Sequence, residues 1–147
     1  MATTTQDNIA VSRRLIEDAF GKGHLGVLDE ACTDQYVDHD PMLGDRGRED
    51  VKQTIAGYRE AFPDLTFTVK DVVAADDKVV VRWQATGTFE NEFMGQAPTG
   101  ERGEPVDGIG INRYEDGRIA ESWGQWNTRQ FMENIGALPS AEVSSVS

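Results

Sequence analysis

Two runs of sequence decide the fold. Val106-Asp107-Gly108-Ile109-Gly110-Ile111-Asn112-Arg113-Tyr114 leads through Glu115-Asp116-Gly117 into Arg118-Ile119-Ala120-Glu121-Ser122-Trp123-Gly124-Gln125-Trp126-Asn127. Large apolar and polar side chains alternate on both sides of an acidic, glycine-closed turn, which predicts an antiparallel hairpin. With Glu115, Asp116 and Gly117 as a three-residue loop, Tyr114 faces Arg118, Ile111 faces Glu121, Ile109 faces Trp123 and Asp107 faces Gln125. Because alternate residues share a face, Asp107, Ile109, Ile111, Trp123, Gln125 and Asn127 then lie together. That face reads as an apolar pocket floor with a polar cluster at one end. The other reading is core, with Ile109, Ile111 and Trp123 packed and Asp107 and Gln125 at an exposed rim, and the two isoleucines fit it better than a pocket floor.

Upstream, Leu65 to Ala74 and Lys78 to Phe89 are also strands, turning at Asp76-Asp77, with Trp83 inside the second. Before them come helices. Ile9, Ser12, Leu15, Ile16, Ala19 and Phe20 recur at helical steps from Gln6 to Lys22; a short helix covers Leu25 to Cys32; a third runs from Arg48 to Phe62 and stops at Pro63. Tyr36 to Pro41 is a brief extended segment and Gly44 to Gly47 a loop. Glu90 to Pro105 is a longer loop with an apolar knuckle at Phe93-Met94, and Thr128 to Gly136 is a short closing helix capped by Asn127 or Thr128. Helices followed by four long antiparallel strands define an α+β fold: a curved sheet wrapped around the N-terminal helices as a cone. Gly87, Gly108, Gly110 and Gly124 would supply the curvature. The chain reads as a single domain, ordered from about residue 6 to 138, with a fraying leader and a loose serine-rich tail from Ala137.

The bulk composition narrows the partners. In 147 residues, 26 acidic against 14 basic side chains give a net charge of -12. That field opposes phosphate backbones and anionic lipid, so neither nucleic acid nor a membrane surface is expected as a partner. No apolar run reaches the length of a membrane span and no secretory leader is recognisable, so a cytoplasmic protein is expected. Cys32 is the only cysteine, which precludes an intrachain disulfide.

Chemistry must come from few groups. There is no nucleophile elbow, zinc-protease helix, phosphate loop or dinucleotide fingerprint, and no cofactor or metal is expected. His39, between Asp38 and Asp40, could move a proton near neutral pH with a carboxylate orienting it, or be merely structural. Trp83, Phe89, Phe93, Met94 and Trp123 are candidate substrate-binding side chains beside Ile109 and Ile111.

The order and spacing of several short motifs resemble the SnoaL-like polyketide cyclases, also called ester cyclases, which share the cone fold of nuclear transport factor 2. These are Tyr36-Val37-Asp38-His39-Asp40-Pro41, Ala61-Phe62-Pro63-Asp64-Leu65, Asp77 to Trp83, Ala85-Thr86-Gly87-Thr88, Phe93-Met94-Gly95, Pro98-Thr99-Gly100, Arg113 to Ile119, Glu121 to Trp126 and Ile135-Gly136. The resemblance implies a homodimer, a cofactor-free ring closure on an apolar polyketide-type substrate, and an aspartate general acid/base after the last tryptophan. That position here is Asn127, an amide that hydrogen-bonds but does not exchange a proton usefully. Phe89 stands where many relatives have histidine. An aldol reading therefore needs another acid, Asp107 or the Asp38-His39-Asp40 cluster. The alternatives are cycloaddition by positioning with Asn127 or Gln125 polarising a carbonyl, a hydroxylase, isomerase or epoxide-opening enzyme on the same fold, and a non-catalytic binder.

Overall fold

The computed structural model describes residues 5–138. The expected leader and tail therefore fall largely outside the described residues, although Thr5 opens the first helix and Ala137 still donates its backbone N–H to Met132. The elements are α1 (Thr5–Arg14), α2 (Gly26–Ala31), β1 (Cys32–Asp40), β2 (Gly44–Gly47), α3 (Arg48–Ala61), β3 (Thr66–Ala75), β4 (Lys78–Thr86), β5 (Val106–Glu115), β6 (Arg118–Trp126) and α4 (Thr128–Asn134). The first helix continues past α1 as a π-helical segment, Leu15–Phe20. The α+β fold is as the sequence indicates, a curved open sheet with helices packed on one side.

The sheet has six strands in the order β2-β1-β6-β5-β4-β3, two more than expected. Tyr36 to Asp40 belongs to a nine-residue strand that pairs parallel to β6, with Pro41 in the turn that follows, and Gly44–Gly47 is its antiparallel partner rather than a loop. Val37↔Glu121, Asp38↔Ser122 and His39↔Trp123 fix the parallel register. Glycine and charge disguise β2, since no apolar alternation marks so short an edge strand.

The central hairpin also departs from expectation. Glu115 pairs with Arg118 across a two-residue turn, with Asp116 and Gly117 both at positive φ (51° and 83°), the arrangement suited to a twisted hairpin. A bulge at Ala120 then shifts the register, so Ile111 faces Trp123 and Ile109 faces Gln125. The larger correction concerns direction. Asp107, Ile109, Ile111, Trp123 and Gln125 do share a face, but it is the side away from the helices, where Ile109 is 43% exposed and Trp123 37%. Val106, Gly108, Gly110, Asn112 and Tyr114 point inward from β5, and Ser122, Gly124 and Trp126 from β6.

The helices close the inward side. Leu15, Ala19, Leu28, Val51 and Ile55 pack with Val79, Val81, Tyr114 and Ile119 in the main core. Arg59 on α3 donates through Nη1 to the carbonyls of Phe20, Gly21 and Leu65 (3.2, 3.0 and 2.9 Å). One guanidinium thereby ties α3 to the end of the π-helical segment and to the approach to β3. A smaller cluster of Phe62, Phe89, Phe131 and Ile135 seals the far end under α4.

Between these clusters the sheet lacks side chains. Gly110 and Gly124 are cross-strand partners on the inward face, and Gly108 lies beneath the indole of its own β4 partner, Trp83. A Cβ on Gly108 would overlap that ring directly, whereas one on Gly124 would meet nothing within 4 Å. Gly108→Ala is therefore expected to displace Trp83 and cost on the order of 1–3 kcal/mol by overpacking, read as a lower thermal midpoint with altered tryptophan emission.

Candidate active site

The hollow left by the glycines is a cavity of about 160 Å³. The π-helical segment supplies Leu15, Ile16 and Phe20 to its wall; such wide turns re-aim side chains at a site. Phe20, Phe67 and Trp83 continue it as a run of tilted rings, with centroids 5.5 and 5.1 Å apart. Pro41, Phe62, Leu65, Ala85, Val106, Trp123 and Trp126 complete the apolar part. The polar lining is short: Tyr36, Asp38, Asp40, Tyr58, Asn112 and Ser122.

The period of β1 splits the acidic cluster. Tyr36, Asp38 and Asp40 face the cavity, while His39 faces the opposite side of the sheet. There its Nδ1 lies 2.7 Å from Asp45 and its Nε2 2.7 Å from Glu121, and its ring stacks on Trp123 at 5.5 Å. Hydrogen bonding to Glu121, then to Asp45, raises the His39 pKa. His39 thus joins β1, β2 and β6 as a doubly hydrogen-bonded ring and does not reach the cavity.

Asp38 is the group in an unusual environment. Burial, and next the neighbouring Asp40 carboxylate, push its pKa from 3.8 up to about 7, partly offset by His39 and Arg46. Asp40 is occupied otherwise, since its Oδ1 accepts from the backbone N–H groups of Met42 and Leu43 at 2.7 and 2.8 Å and shapes the turn into β2. A carboxyl that titrates near neutrality in an apolar cavity can both take and return a proton.

The other candidates sit elsewhere. Asp107 is exposed on the outer face, where Gln84 donates to it at 3.1 Å. Asn127 is exposed and caps α4, its Oδ1 accepting from the N–H of Gln130 at 3.0 Å, a role that suits asparagine or aspartate alike. Gln125 is exposed beside it. Phe89 is fully buried against Phe62, outside the cavity lining. Phe93 packs on Tyr58 and Phe131, and Met94 is 51% exposed at a loop tip with positive φ. Trp83 and Trp123 both line the cavity; Ile109 and Ile111 do not. The sequence reading missed Tyr36, Tyr58, Asn112, Ser122 and Trp126 as lining groups. The parity of β1, with Tyr36, Asp38 and Asp40 two apart, was the available signal. Among the described residues no group of three or more histidine, cysteine or carboxylate side chains is arranged to hold a metal ion.

The curved sheet, closed by helices over an apolar cavity that holds one perturbed carboxyl, has the cone fold of nuclear transport factor 2. The model of the SnoaL-like polyketide cyclases matches residues 10–135, and the chain belongs to that family. Among solved structures, AclR, a candidate hydroxylase from Streptomyces galilaeus, is 26% identical with a TM-score of 0.84, over 96% of this chain and 88% of that one. IdmH, a candidate polyketide cyclase from Streptomyces antibioticus, is 31% identical with a TM-score of 0.75, over 91% and 99%. A SnoaL-like protein from Jannaschia sp. CCS1 shares the fold at 24% identity, with a TM-score of 0.82 over 95% and 98%. None of the curated proteins compared with the chain matches it.

The raised Asp38 pKa has a signed consequence for stability. The folded chain holds this proton to about 7, whereas the unfolded chain releases it near 3.8. The group's contribution is therefore fully present below the unfolded value and lost as pH rises through the folded one. Asp38→Asn should match wild type at about pH 4 and exceed it at about pH 8 by on the order of 1–3 kcal/mol, measured as thermal midpoints across pH.

Proposed function

We infer that the protein is a cofactor-independent ring-closing enzyme that acts in the cytoplasm on an apolar polyketide-type intermediate, with Asp38 as general acid/base. The observation that carries this reading is the Asp38 carboxyl, titrating at about 7 inside a cavity otherwise lined mainly by apolar side chains and aromatic rings. Its carboxylate removes a proton from the carbon beside a carbonyl. The resulting enolate carbon attacks a second carbonyl within the same folded substrate, and the proton returns to the new alkoxide oxygen. The aromatic wall of Phe20, Phe67 and Trp83 supports a flat or extended chain in the folded shape that closure needs, and positioning of this kind supplies about 7–11 kcal/mol of a barrier in favourable cases.

Cycloaddition driven by shape alone is the second reading, favoured by the predominance of apolar lining. In that case the amides of Asn127 and Gln125, exposed outside the cavity lining, would not be the groups that polarise the substrate. The likeness to AclR makes hydroxylation a third. The experiment that separates them is turnover of a linear polyketide-type ketoester, followed by mass spectrometry of the product. Asp38→Asn should lower the rate by about 10²–10⁴ and abolish a pH dependence centred near 7. A variant with an unchanged rate would leave shape as the driver, and an oxygenated linear product would point to hydroxylation.

The partner for the sheet's outer side is a second copy of this chain. Val73↔Val80, Val80↔Ile111 and Ile111↔Trp123 are successive cross-strand pairs. They form an apolar row across β3, β4, β5 and β6 in which Val73 is 61% exposed. A row of this kind favours burial against an identical row. Ile111→Arg should convert a dimer into a monomer in analytical ultracentrifugation, and a monomeric wild type at micromolar concentration would exclude the pairing.

A further inference from the structure

Asp38 and Arg46 are register partners across β1 and β2. Directly opposite residues of an antiparallel pair project to the same face, with Cβ atoms about 4.5–5.5 Å apart. Asp38 lines the cavity, so Arg46 stands beside it on the cavity side of the sheet. Arg46 is the only lysine or arginine in β1 or β2. Among the described residues no lysine, arginine or histidine lines the cavity itself. The two side chains nevertheless form no ion pair, and the Asp38 carboxyl has no hydrogen-bond partner among the described residues.

Arg46 is no better satisfied. Of the N–H groups on its guanidinium, one on Nη2 reaches Thr54 Oγ1 on α3 at 3.4 Å, longer than the usual range of about 2.7–3.2 Å. The Thr54 hydroxyl gives its own proton to the carbonyl of Asp50 at 3.0 Å, so its oxygen accepts from Arg46. Arg46 Nε is buried and unpaired among the described residues, which is unfavourable for a charged donor. A cation held by one long contact thus lies opposite an unpartnered carboxyl. Their separation suits a neutral carboxyl, because only the ionised form offers charge-assisted bonds of about 2.7–2.9 Å. The other groups around Asp38 supply no competing cation: Tyr36 and Asp40 come from β1, Tyr58 from α3 and Ser122 from β6. His39 and Asp45 lie on the outer side of the sheet. Burial, then Asp40, raise the Asp38 pKa, while His39 and Arg46 oppose them.

We propose that Arg46 is a positioning residue that changes partners with the proton on Asp38: it rests on Thr54 while Asp38 is neutral and swings to the Asp38 carboxylate when the proton leaves. The guanidinium keeps its own protons throughout, so the only proton transferred is the one on Asp38. Thr54 makes the exchange reversible, because a permanent pair would hold the carboxyl ionised. The catalytic meaning of this exchange rests on the acid/base reading of Asp38, but the exchange itself is a property of the unliganded protein.

The test is the titration of the Asp38 carboxyl, followed by carbon-13 NMR of labelled protein without substrate and assigned by the signal missing from Asp38→Asn. Arg46→Met should move its midpoint up by about one pH unit or more, the effect of losing one nearby opposite charge. Thr54→Val, which frees the guanidinium to pair permanently, should move it down by roughly half a pH unit or more. Arg46→Lys keeps the charge but not the fork, so its midpoint should fall between wild type and Arg46→Met. The double variant should titrate like Arg46→Met, because Thr54 acts only through Arg46. An unmoved midpoint in Arg46→Met would overturn the proposal, even with a lowered thermal midpoint, and would show Arg46 to be structural. So would shifts of the same sign in Arg46→Met and Thr54→Val, or a Thr54→Val shift that persists without Arg46. Turnover is a separate measurement. Midpoints that move as stated, with a rate unchanged in Asp38→Asn, would remove the acid/base reading and leave the partner exchange standing.

Discussion

The site depends on an absence of side chains at one place on the sheet. Gly110 and Gly124 face each other on β5 and β6, and no Cβ from either strand fills the space beneath the helices. Side chains of ordinary strand residues such as valine or isoleucine at these two positions would occupy the hollow that now separates the core at Leu15, Val79 and Val81 from the core at Phe62 and Phe131. Glycines weaken a strand interior through backbone entropy. The compensation comes from Trp83, whose indole lies across Gly108, and from the aromatic rings that line the hollow instead of filling it.

Polar groups around such a hollow are costly unless satisfied, and the fold handles them unequally. Ser12, Asn112, Ser122 and Tyr114 satisfy one another in a closed sequence that ends on a helix carbonyl. Asp40 is absorbed by the turn into β2. Asp38 and Tyr58 are the exceptions: one has a displaced pKa and the other an unpaired hydroxyl. Unrelieved electrostatic and hydrogen-bonding demands concentrated in a cavity are what a functional site looks like, because a bound molecule can relieve them. Arg46, register partner of Asp38 across β1 and β2, moderates the carboxyl without forming an ion pair with it among the described residues. A direct pair would hold Asp38 ionised and remove its proton-exchanging character.

Much of this was legible in the sequence. The helical spacing of Ile9 to Phe20, the stop at Pro63 and the alternation of the four long strands all rest on local chemistry that tertiary packing does not override. Which face of the hairpin points inward was not, because both faces carry large apolar residues. Ile109, Ile111 and Trp123 alternate with glycines, and the eye takes the larger side chains for the interior. The inward face is the one with the glycines, where helices and a cavity replace side-chain volume. The register escaped for a separate reason: the bulge at Ala120 leaves no mark in composition, and the turn has two residues rather than three. The parallel pairing of β1 depends on contacts between residues more than 80 positions apart, such as His39 with Glu121, and no periodicity reports such a contact.

The same strand pairing bears on residue 127, the position where the family resemblance puts an acid/base. An acid at residue 127 would act on a substrate only if the end of β6 turned into the cavity. Here Trp126 occupies the inward position, and residue 127 is spent on starting α4, with its side chain bonded to Gln130. Aspartate would cap that helix as well as asparagine does, so helix formation alone does not require the amide. What asparagine avoids is another negative charge on a protein already at -12. The alternation of β1 delivers Asp38 to the cavity. Its immediate neighbour His39 is delivered to Glu121 and Asp45 on the other side, where it fixes the register that keeps Asp38 inward.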